Sequence, residues 1–447
     1  MSAAFSPMSL RDARFIVAEH GPDALREIVL ARATDNRDNA VIQTNAKAPP
    51  TAVGGPLHGI AFGVKDNIDV AGYMTTGACP GLAENLANAD APAVAALRSA
   101  GGYVPVKLNM HELAFGITSN NPAFGAVRNP FDPNRSAGGS SGGSGAAVAR
   151  GVVPFALGSD TGGSSRIPAA FCSIVGFRPS TGRYQEGGAL LLSPTRDTIG
   201  PMTANCADLA EIDGIITGEH VLPALPERPL RLGVLWDKRG LSLSVDEAVA
   251  SALGRLGLSG EVDLVPIDAS EFEDIDARIG GPVVFNEAFE FWTAFCANRL
   301  GKTLAEFTST IASPDVRMIF EQLPSFAAES REAFTHALDG GLASLRQRYE
   351  QLLSSQRLDA IIMPTVPVQP PLIGEDDLMQ TDAGLVSTFH TVTSHAVLAT
   401  LTGAPSVSVP AGLDRDGLPV GLMIEGRRHD DRALLAIACK IEALLAQ

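Results

Sequence analysis

Two clusters rich in glycine and serine constrain this chain more than any other feature. The first runs from Ala137 to Gly145 (AGGSSGGSG), and the second runs from Gly158 to Arg166 (GSDTGGSSR). The apolar segment Val152–Leu157 between them predicts a β-strand, and each cluster precedes a helical or tightly turning segment. Alternation of strands, glycine-rich turns and helices favours a layered α/β fold.

The same alternation continues on the N-terminal side of the clusters. Segments Gly59–Val64 and Tyr103–Leu108 are predicted strands, and the helix Asp90–Ser99 between them has Asp90 as its candidate N-cap. Residues 1–50 are predicted to be N-terminal helices because their apolar residues recur at helical spacing.

The C-terminal half adds three kinds of segment. The proline-rich stretch 218–230 indicates a linker, and strand and helix patterns follow it at Leu230–Trp236, Val245–Leu256 and Val262–Ile267. Residues 270–355 are mostly helical, and an amphipathic helix Asp430–Leu445 closes the chain. We expect a single domain over residues 1–447.

Five aromatic rings lie close together in the predicted helix Val283–Phe295. At helical spacing Phe285, Phe289 and Trp292 share one face, while Phe291 and Phe295 lie round the side. One face is expected to pack into the core and the other to meet a substrate, so the cluster is either a core stripe or a pocket wall.

Charge and cysteine content exclude several classes of function. The net charge of −16 argues against nucleic acid or an anionic membrane as a partner. The five scattered cysteines contain no C-x-x-C pair, so neither a disulfide framework nor a metal site is expected. Without a signal pattern or a membrane-length apolar run, a cytoplasmic location is the expectation.

Three interpretations of the clusters compete. They could be flexible linkers, but apolar periodic segments flank both of them. They could cradle phosphate, as in a nucleotide-binding protein, but no Gly-Lys-Ser/Thr ending is present. They could form a nucleophilic site, in which glycines let backbone N–H groups approach an oxyanion while a serine attacks a carbonyl.

Two kinds of base could activate such a serine. Residues 138–142 match the G-x-S-x-G elbow, which would need a histidine such as His111, His390, His395 or His429. The other candidate is Lys65, at the end of an apolar strand, because burial lowers the pKa of a lysine and leaves it neutral. A plain surface pair between Lys65 and Asp66 is the simplest alternative for that lysine.

The chain resembles the amidase signature family. The two glycine-serine clusters match its hallmark, and the stretch from Pro56 to Asn67 (PLHGIAFGVKDN) matches its lysine strand. Separations of 75 residues from Lys65 to Ser140 and 24 from Ser140 to Ser164 agree with the family pattern. The likeness covers residues from about 55 to 215 and resumes at 361–367 and 403–445.

The resemblance assigns roles residue by residue. It implies Ser164 as nucleophile, Ser140 after a cis peptide bond as bridging residue, and Lys65 as base. The implied oxyanion hole consists of the backbone N–H groups of Thr161, Gly162, Gly163 and Ser164. Residues implied to brace the site are Ser141, Asp160 and Arg166, and those implied to lie beside the acyl group are Ala114, Phe115 and Gly116.

The resemblance also implies a fold and an activity. Segments 176–184 and 193–201 look most like the indoleacetamide and mandelamide hydrolase branch. The implied fold is an α/β/α sandwich with a large mixed β-sheet, in which residues 270–355 cover the active site. The implied reaction is hydrolysis of neutral aryl or primary amides through an acyl-enzyme, with carbamates and esters as further substrates. No cofactor is implied, and the enzyme would act as a monomer or homodimer.

One alternative within the family stays open. The amidase-like chain of a glutamyl-tRNA amidotransferase has similar motifs but works only with a partner chain. This sequence has Ile167 where that chain usually has glutamine, and Ser165 where the family often has an aliphatic residue. The first departure argues against the amidotransferase alternative.

Overall fold

A single mixed β-sheet runs through the computed structural model, which describes residues 6–47, 54–236, 240–272 and 274–446. The sheet has eleven strands in the order β1-β3-β2-β4-β6-β5-β12-β13-β9-β7-β8, and β10 and β11 form a separate hairpin. The strands are β1 Val41–Thr44, β2 Ala61–Lys65, β3 Tyr103–Leu108, β4 Phe155–Asp160, β5 Val175–Arg178, β6 Thr198–Thr203, β7 Leu230–Val234, β8 Val262–Pro266, β9 Ala360–Pro364, β10 Leu378–Thr381, β11 Gly384–Ser387, β12 Ser406–Leu413 and β13 Pro419–Glu425.

Fifteen α-helices in the described residues surround the sheet. They are α1 Leu10–His20, α2 Pro22–Asp35, α3 Pro92–Ser99, α4 Gly142–Ala149, α5 Arg166–Phe171, α6 Cys206–Thr217, α7 Leu243–Leu258, α8 Gly281–Phe295, α9 Leu304–Thr308, α10 Pro314–Glu329, α11 Arg331–His336, α12 Leu342–Ser355, α13 Thr388–Thr393, α14 Val397–Thr402 and α15 Asp431–Leu445. The structure therefore confirms the predicted α/β fold with a large mixed sheet.

Both faces of the sheet are covered, as strand β12 illustrates. Successive side chains of a strand point to opposite faces. Val407 and Val409 pack in one apolar cluster with residues of α15, whereas Ser406 lies 3.5 Å from the guanidinium of Arg166 in α5. Coverage on both sides explains why central strands such as β2 and β4 are buried along their whole length.

Most predicted elements are present with shifted ends, and two predictions are wrong in detail. The helix after residue 90 begins at Pro92 with Ala91 as N-cap, while the Asp90 carboxylate accepts a 2.8 Å hydrogen bond from the N–H of Ala71 instead. Within the N-terminal stretch, Val41–Thr44 is an edge strand paired with β3 and not a helix. Residues 1–5 and 48–50 of that stretch lie outside the described residues.

The predicted helical cover is built from α8 to α12, with short π-helical turns after α8 and before α12. Its interior is an aromatic cluster in which the Trp292 ring stacks on Phe307 at 5.3 Å and meets the edge of Phe320 at 5.4 Å. Residues of this cluster also pack against Met110, Leu113 and Phe115. The cover is therefore attached to the loop after β3.

Two further expectations concern whole-chain properties. All five cysteines lie in the described residues and none forms a disulfide. No helix in the described part of the chain has the length and hydropathy that a membrane span requires.

Candidate active site

Two parallel neighbours in the sheet, β2 and β4, bring the first functional groups together. Because parallel strands end at the same edge of a sheet, Lys65 at the end of β2 meets Ser159 near the end of β4. The Lys65 Nζ lies 2.8 Å from the Ser159 Oγ and 2.7 Å from the Ser140 Oγ. The sequence motifs identify Lys65 and Ser140 as neighbours but give Ser159 no role.

Lys65 is fully buried, and its environment changes its acid–base chemistry. Burial lowers the pKa of its amine to about 7, although Asp160 and Asp197 act in the opposite direction. The surface pair with Asp66 does not form. Asp66 lies 3.2 Å from the Nζ of Lys107 instead, and Gln43 donates to it at 2.8 Å.

Ser159 links the lysine to a second polar side chain. The Asn67 Nδ2 donates to the Ser159 Oγ at 3.1 Å, while the Asn67 Oδ1 is buried without a partner in the described structure. Both residues line a second cavity of about 80 Å³, which shares Thr161 and Leu192 with the main cleft. Ser159 belongs to the second glycine-serine cluster, which is the one signal that could have identified it.

The two glycine-serine clusters meet at their serines. The peptide bond between Gly139 and Ser140 is cis, and the backbone N–H of Ser141 donates to the Ser164 carbonyl at 3.3 Å. In the described residues the hydroxyls of Ser140 and Ser164 share no hydrogen bond. Ser164 is 7% exposed and lines the main cleft, and its backbone is joined to the residue that directly follows Ser140.

Gly143 and Gly163 show why these clusters need glycine. A Cβ on Gly143 would lie 2.3 Å from the Asn109 carbonyl oxygen, so no side chain fits where the first cluster enters α4. Gly163 has a φ of 109°, and a Cβ there would lie 2.7 Å from Ala396. The close backbone approach that defines the site therefore depends on both glycines.

Backbone N–H groups of the second cluster fall into two sets. The N–H of Gly163 donates to the Asp160 Oδ1 at 2.9 Å, so it is already occupied, although it was expected in an oxyanion hole. In the described structure the N–H groups of Thr161, Gly162 and Ser164 donate to no acceptor. Thr161, Gly162 and Ser164 all line the cleft.

The buried carboxylate of Asp160 is bound by two arginine side chains next to the second glycine-serine cluster. Its carboxylate accepts from the Nε of Arg166 at 3.0 Å and lies 3.2 Å from the Nη1 of Arg178, and none of the three side chains is exposed. Burial alone would raise the pKa of Asp160, but the two guanidinium groups hold it well below its usual range. Arg178, which lies in the family-like segment 176–184 but was given no role from the sequence, completes this group.

Asp197, which lines the smaller cavity, also contacts the second glycine-serine cluster. Its carboxylate accepts from the Thr161 hydroxyl and from the backbone N–H of Leu192 at 2.8 Å. Burial raises the pKa of Asp197 to about 6, although these hydrogen bonds favour the charged form. Asp197 therefore holds the side chain of Thr161, three residues before Ser164.

The main cleft has a volume of about 1370 Å³ and a mostly apolar wall. One end is lined by Ala114, Phe115 and Gly116, which the family resemblance places beside an acyl group. The cover contributes Phe285 of α8 together with Ile319 and Phe326 of α10 to the same wall. The three sequence-predicted residues therefore line the same cleft as Ser164.

The aromatic cluster of α8 does not divide as its spacing predicted. Trp292 is fully buried in the cover, whereas Phe285, expected on the same face, lines the cleft and packs on Phe326 at 4.8 Å. The remaining rings, Phe289, Phe291 and Phe295, are partly buried against the cover cluster.

The candidate histidines occupy different positions. His111 is buried, with its Nε2 3.1 Å from Asp315 and its Nδ1 accepting from the N–H of Ser119. His390 and His395 line the cleft. The hydroxyl of Ser140, the centre of the G-x-S-x-G match, contacts the Lys65 amine.

No group of three or more His, Cys, Asp or Glu side chains in the described ranges could hold a metal ion.

A family model and two characterised enzymes match this sequence. The family model described as Amidase matches residues 27–435. The chain is 38% identical over 413 residues to the mandelamide hydrolase of Pseudomonas putida, covering 88% of this chain and 79% of that enzyme. It is 36% identical over 390 residues to an indoleacetamide hydrolase of Agrobacterium vitis, covering 86% and 83% of the two chains.

Solved structures agree with these matches. A crystal structure of an amidase superposes with a TM-score of 0.83 at 30% identity and covers 98% of this chain and 99% of that one. One chain of the glutamyl-tRNA(Gln) amidotransferase of Thermotoga maritima superposes with a TM-score of 0.77 at 29% identity, covering 94% and 91%.

Proposed function

The chain belongs to the amidase family and is an amide-hydrolysing enzyme, and from this premise we propose that Lys65, Ser140 and Ser164 form its catalytic triad. The observation that carries the proposal is the 2.7 Å contact between a fully buried lysine amine and the Ser140 hydroxyl, next to a serine on the cleft. A lysine whose pKa is about 7 is partly neutral at physiological pH and can accept a proton.

Acylation begins with two coupled proton transfers. The Ser164 hydroxyl turns towards Ser140 and passes its proton to the Ser140 oxygen, while Ser140 passes its own proton to the neutral Lys65 amine. The Ser164 oxygen then bonds to the substrate carbonyl carbon and forms a tetrahedral oxyanion. When this intermediate collapses, the C–N bond breaks and the proton returns through Ser140 to the leaving nitrogen.

Deacylation uses the same groups in the same order. A water molecule gives its proton to the relay and bonds to the acyl carbon, and the bond from that carbon to the Ser164 oxygen breaks. The relay returns the proton to Ser164 as the acid leaves. Every proton therefore remains within the three residues and the reactants, and the proposal requires no cofactor.

The oxyanion is stabilised by the backbone N–H groups of Thr161, Gly162 and Ser164. These donors are fixed before the reaction, so they need no reorganisation as the negative charge develops. The N–H of Gly163 donates to Asp160, so we assign Gly163 to the shape of the turn and not to the oxyanion hole. We assign the bracing of this turn to Asp160 and Arg166, and the bracing of the Ser164 backbone to Ser141.

The substrates we propose are neutral amides with an aromatic acyl group. The apolar wall of Phe115, Phe285 and Phe326 suits a ring, and the small side chain of Ala114 lines the same cleft as Ser164. Mandelamide hydrolase and indoleacetamide hydrolase are named for amides with aromatic acyl groups. Carbamates and esters present the same carbonyl to Ser164, so we propose them as further substrates.

The amidotransferase alternative is less well supported. It rests on a structure 29% identical to this chain, whereas the matched mandelamide hydrolase is 38% identical. Hydrolysis by the purified chain alone distinguishes the two, since the alternative requires a partner chain.

The test is a panel of substrates given to the purified chain without any partner. We expect hydrolysis of mandelamide, indoleacetamide and a chromogenic aryl anilide, and slower hydrolysis of matched carbamates and esters. Ser164→Ala should be inactive on all of them. Activity that needs an added partner chain, or that survives in Ser164→Ala, would overturn the proposed function.

A further inference from the structure

The turn formed by residues 192–197 lies between the helical cover and the proposed oxyanion donors. At its cover side, Glu287 of α8 accepts hydrogen bonds from the Ser193 hydroxyl and from both the hydroxyl and the backbone N–H of Thr195, the last at 3.2 Å. A carboxylate has only acceptor positions, which suits three donors converging from one turn. The turn is thus attached to α8 by one side chain.

At its other side the same turn holds Thr161. The Asp197 carboxylate accepts from the backbone N–H groups of Leu192 at 2.8 Å and Ser193 at 3.0 Å, and from the Thr161 hydroxyl. The backbone N–H of Asp197 donates to the Ser193 carbonyl at 2.7 Å. A continuous hydrogen-bonded path therefore leads from α8 through Ser193 and Asp197 to Thr161.

Arg196 connects the turn to the cover a second time. Its guanidinium donates to the Gly280 carbonyl, immediately before α8, at 3.0 Å and to the Thr400 hydroxyl of α14 at 3.1 Å. The side chain is about 6% exposed and lines the cleft. The turn is thus held by Glu287 of α8, by the residue before that helix and by α14.

We propose that Glu287 is a positioning residue that couples the placement of the cover to the oxyanion donors, acting through the 192–197 turn, Asp197 and Thr161. The proposal rests on the proposed function, since it assumes that the Thr161 N–H faces the oxyanion. It makes the cover part of the catalytic geometry and not only a wall for the substrate.

The decisive variants are Glu287→Ala and a matched control, Glu290→Ala. Both residues lie on α8, but Glu290 is exposed and pairs only at the surface with Arg331. An oxyanion contact acts in the transition state, so Glu287→Ala should lower kcat with little change in KM. Complete loss of one oxyanion donor costs about 10²–10³-fold in kcat, and we expect a loss of roughly tenfold or more when the donor is only displaced. The loss should be similar for a small and a bulky amide, and Glu290→Ala should match the wild type.

Thr161→Val tests the other end of the path, because it removes the hydroxyl bound to Asp197 but keeps the backbone N–H. It should lower kcat as Glu287→Ala does, and Thr161→Ser should retain activity. In the double variant the two losses should not multiply, since both break one path. Circular dichroism and thermal melting of each variant check that folding is retained.

Three outcomes would overturn the proposal. The first is a Glu287→Ala variant that raises KM for the bulky amide alone, which is the result of a loosened wall. The second is a double variant whose losses multiply, and the third is Glu287→Ala with wild-type kcat. Failure of the proposed function looks different, because the wild type itself would then lack activity or Ser164→Ala would retain it.

Discussion

The glycine-serine loops and the helical cover meet at one cleft but are built in opposite ways. Around the loops, Lys65, Asp160, Arg166 and Arg178 are fully buried and contact one another or nearby serines at fixed distances. The cover has a core of aromatic rings, while Met318 and Leu338 are half exposed. The loops depend on polar contacts with exact partners, whereas the cover depends on apolar volume.

This difference separates the determinants of reaction and substrate. A buried polar group that loses its partner costs free energy, so the loop residues have little freedom to change. Apolar walls tolerate substitution of similar volume. Reaction chemistry should therefore fail when a loop residue that holds a polar partner is changed, and changes to the apolar residues of the cover should act on stability or on substrate choice. Five predictions test this division, starting with the largest effect.

Ser164→Ala should abolish turnover, because no other group in the proposed mechanism can carry the acyl intermediate. Adjacent Ser165→Ala is the matched control, since the Ser165 hydroxyl is buried without a partner in the described structure. Steady-state rates and mass spectrometry of a trapped acyl-enzyme measure both variants. Turnover in Ser164→Ala at the rate of the control would contradict the assignment.

Lys65→Ala should reduce kcat/KM by about 10²–10⁴-fold or more, because the general base is removed. Lys302→Ala, at an exposed position of the cover, should leave the rate unchanged. If Lys65→Ala is fully active, the lysine mechanism is wrong. The histidine alternative would then need testing by alanine changes at His390 and His395.

Trp292→Ala should destabilise the protein by about 3–5 kcal/mol, because it empties a fully buried site between Phe307 and Phe320. Remaining folded enzyme should lose activity equally on all substrates. Chemical denaturation monitored by circular dichroism gives the free energy of unfolding. A change in substrate preference without loss of stability would place Trp292 in the cleft.

The pH dependence of kcat/KM tests the burial of Lys65. Its pKa is lowered to about 7, so the amine is neutral and active above that pH and protonated below it. The rate should rise with pH by about tenfold per unit below the pKa and level off above it. A profile that still climbs at pH 10 would mean that burial does not shift this lysine.

Phe285→Ala should have the smallest effect and the most selective one. Its ring lines the cleft, so truncation should lower kcat/KM several-fold for aryl amides and hardly at all for acetamide. Thermal melting should change little compared with Trp292→Ala. Equal losses on both substrates would show that Phe285 supports the cover and does not contact the substrate.

The parts of the site that could be predicted lie in contiguous motifs. Lys65, Ser140 and Ser164 stand in short stretches with fixed neighbours, and the structure brings Lys65 and Ser140 into contact. Contacts between distant segments could not be predicted, because packing decides them. Arg178 and Asp197 reach the second cluster from β5 and from the 192–197 turn, which no local pattern connects with Asp160 or Thr161.

The fold shows the same limit. Apolar runs predicted β3 at Tyr103–Leu108 with its observed ends, because burial on both faces leaves a clear signal. Helical spacing placed Phe285 and Trp292 together, but Phe307 of α9 and Phe320 of α10 enclose Trp292. Phe285 instead meets Phe326 of α10 at the wall of the cleft. Spacing in the sequence gives the direction in which a side chain leaves its own helix. The packing of the neighbouring helices decides whether that direction leads into the core or into the cleft.

The buried charges around Asp160 have a consequence for how such a sequence can diverge. Changing Asp160 alone would leave the guanidinium groups of Arg166 and Arg178 buried without the carboxylate that they share, at a cost of about 3–5 kcal/mol. Changing either arginine would remove one of the two positive charges that Asp160 faces. Evolutionary change at these three positions therefore requires paired substitutions, which arise rarely. Positions on the cleft wall such as Phe285 can vary one at a time. New substrate ranges should therefore arise in lineages by single mutations in the cover, while the charged group is inherited unchanged.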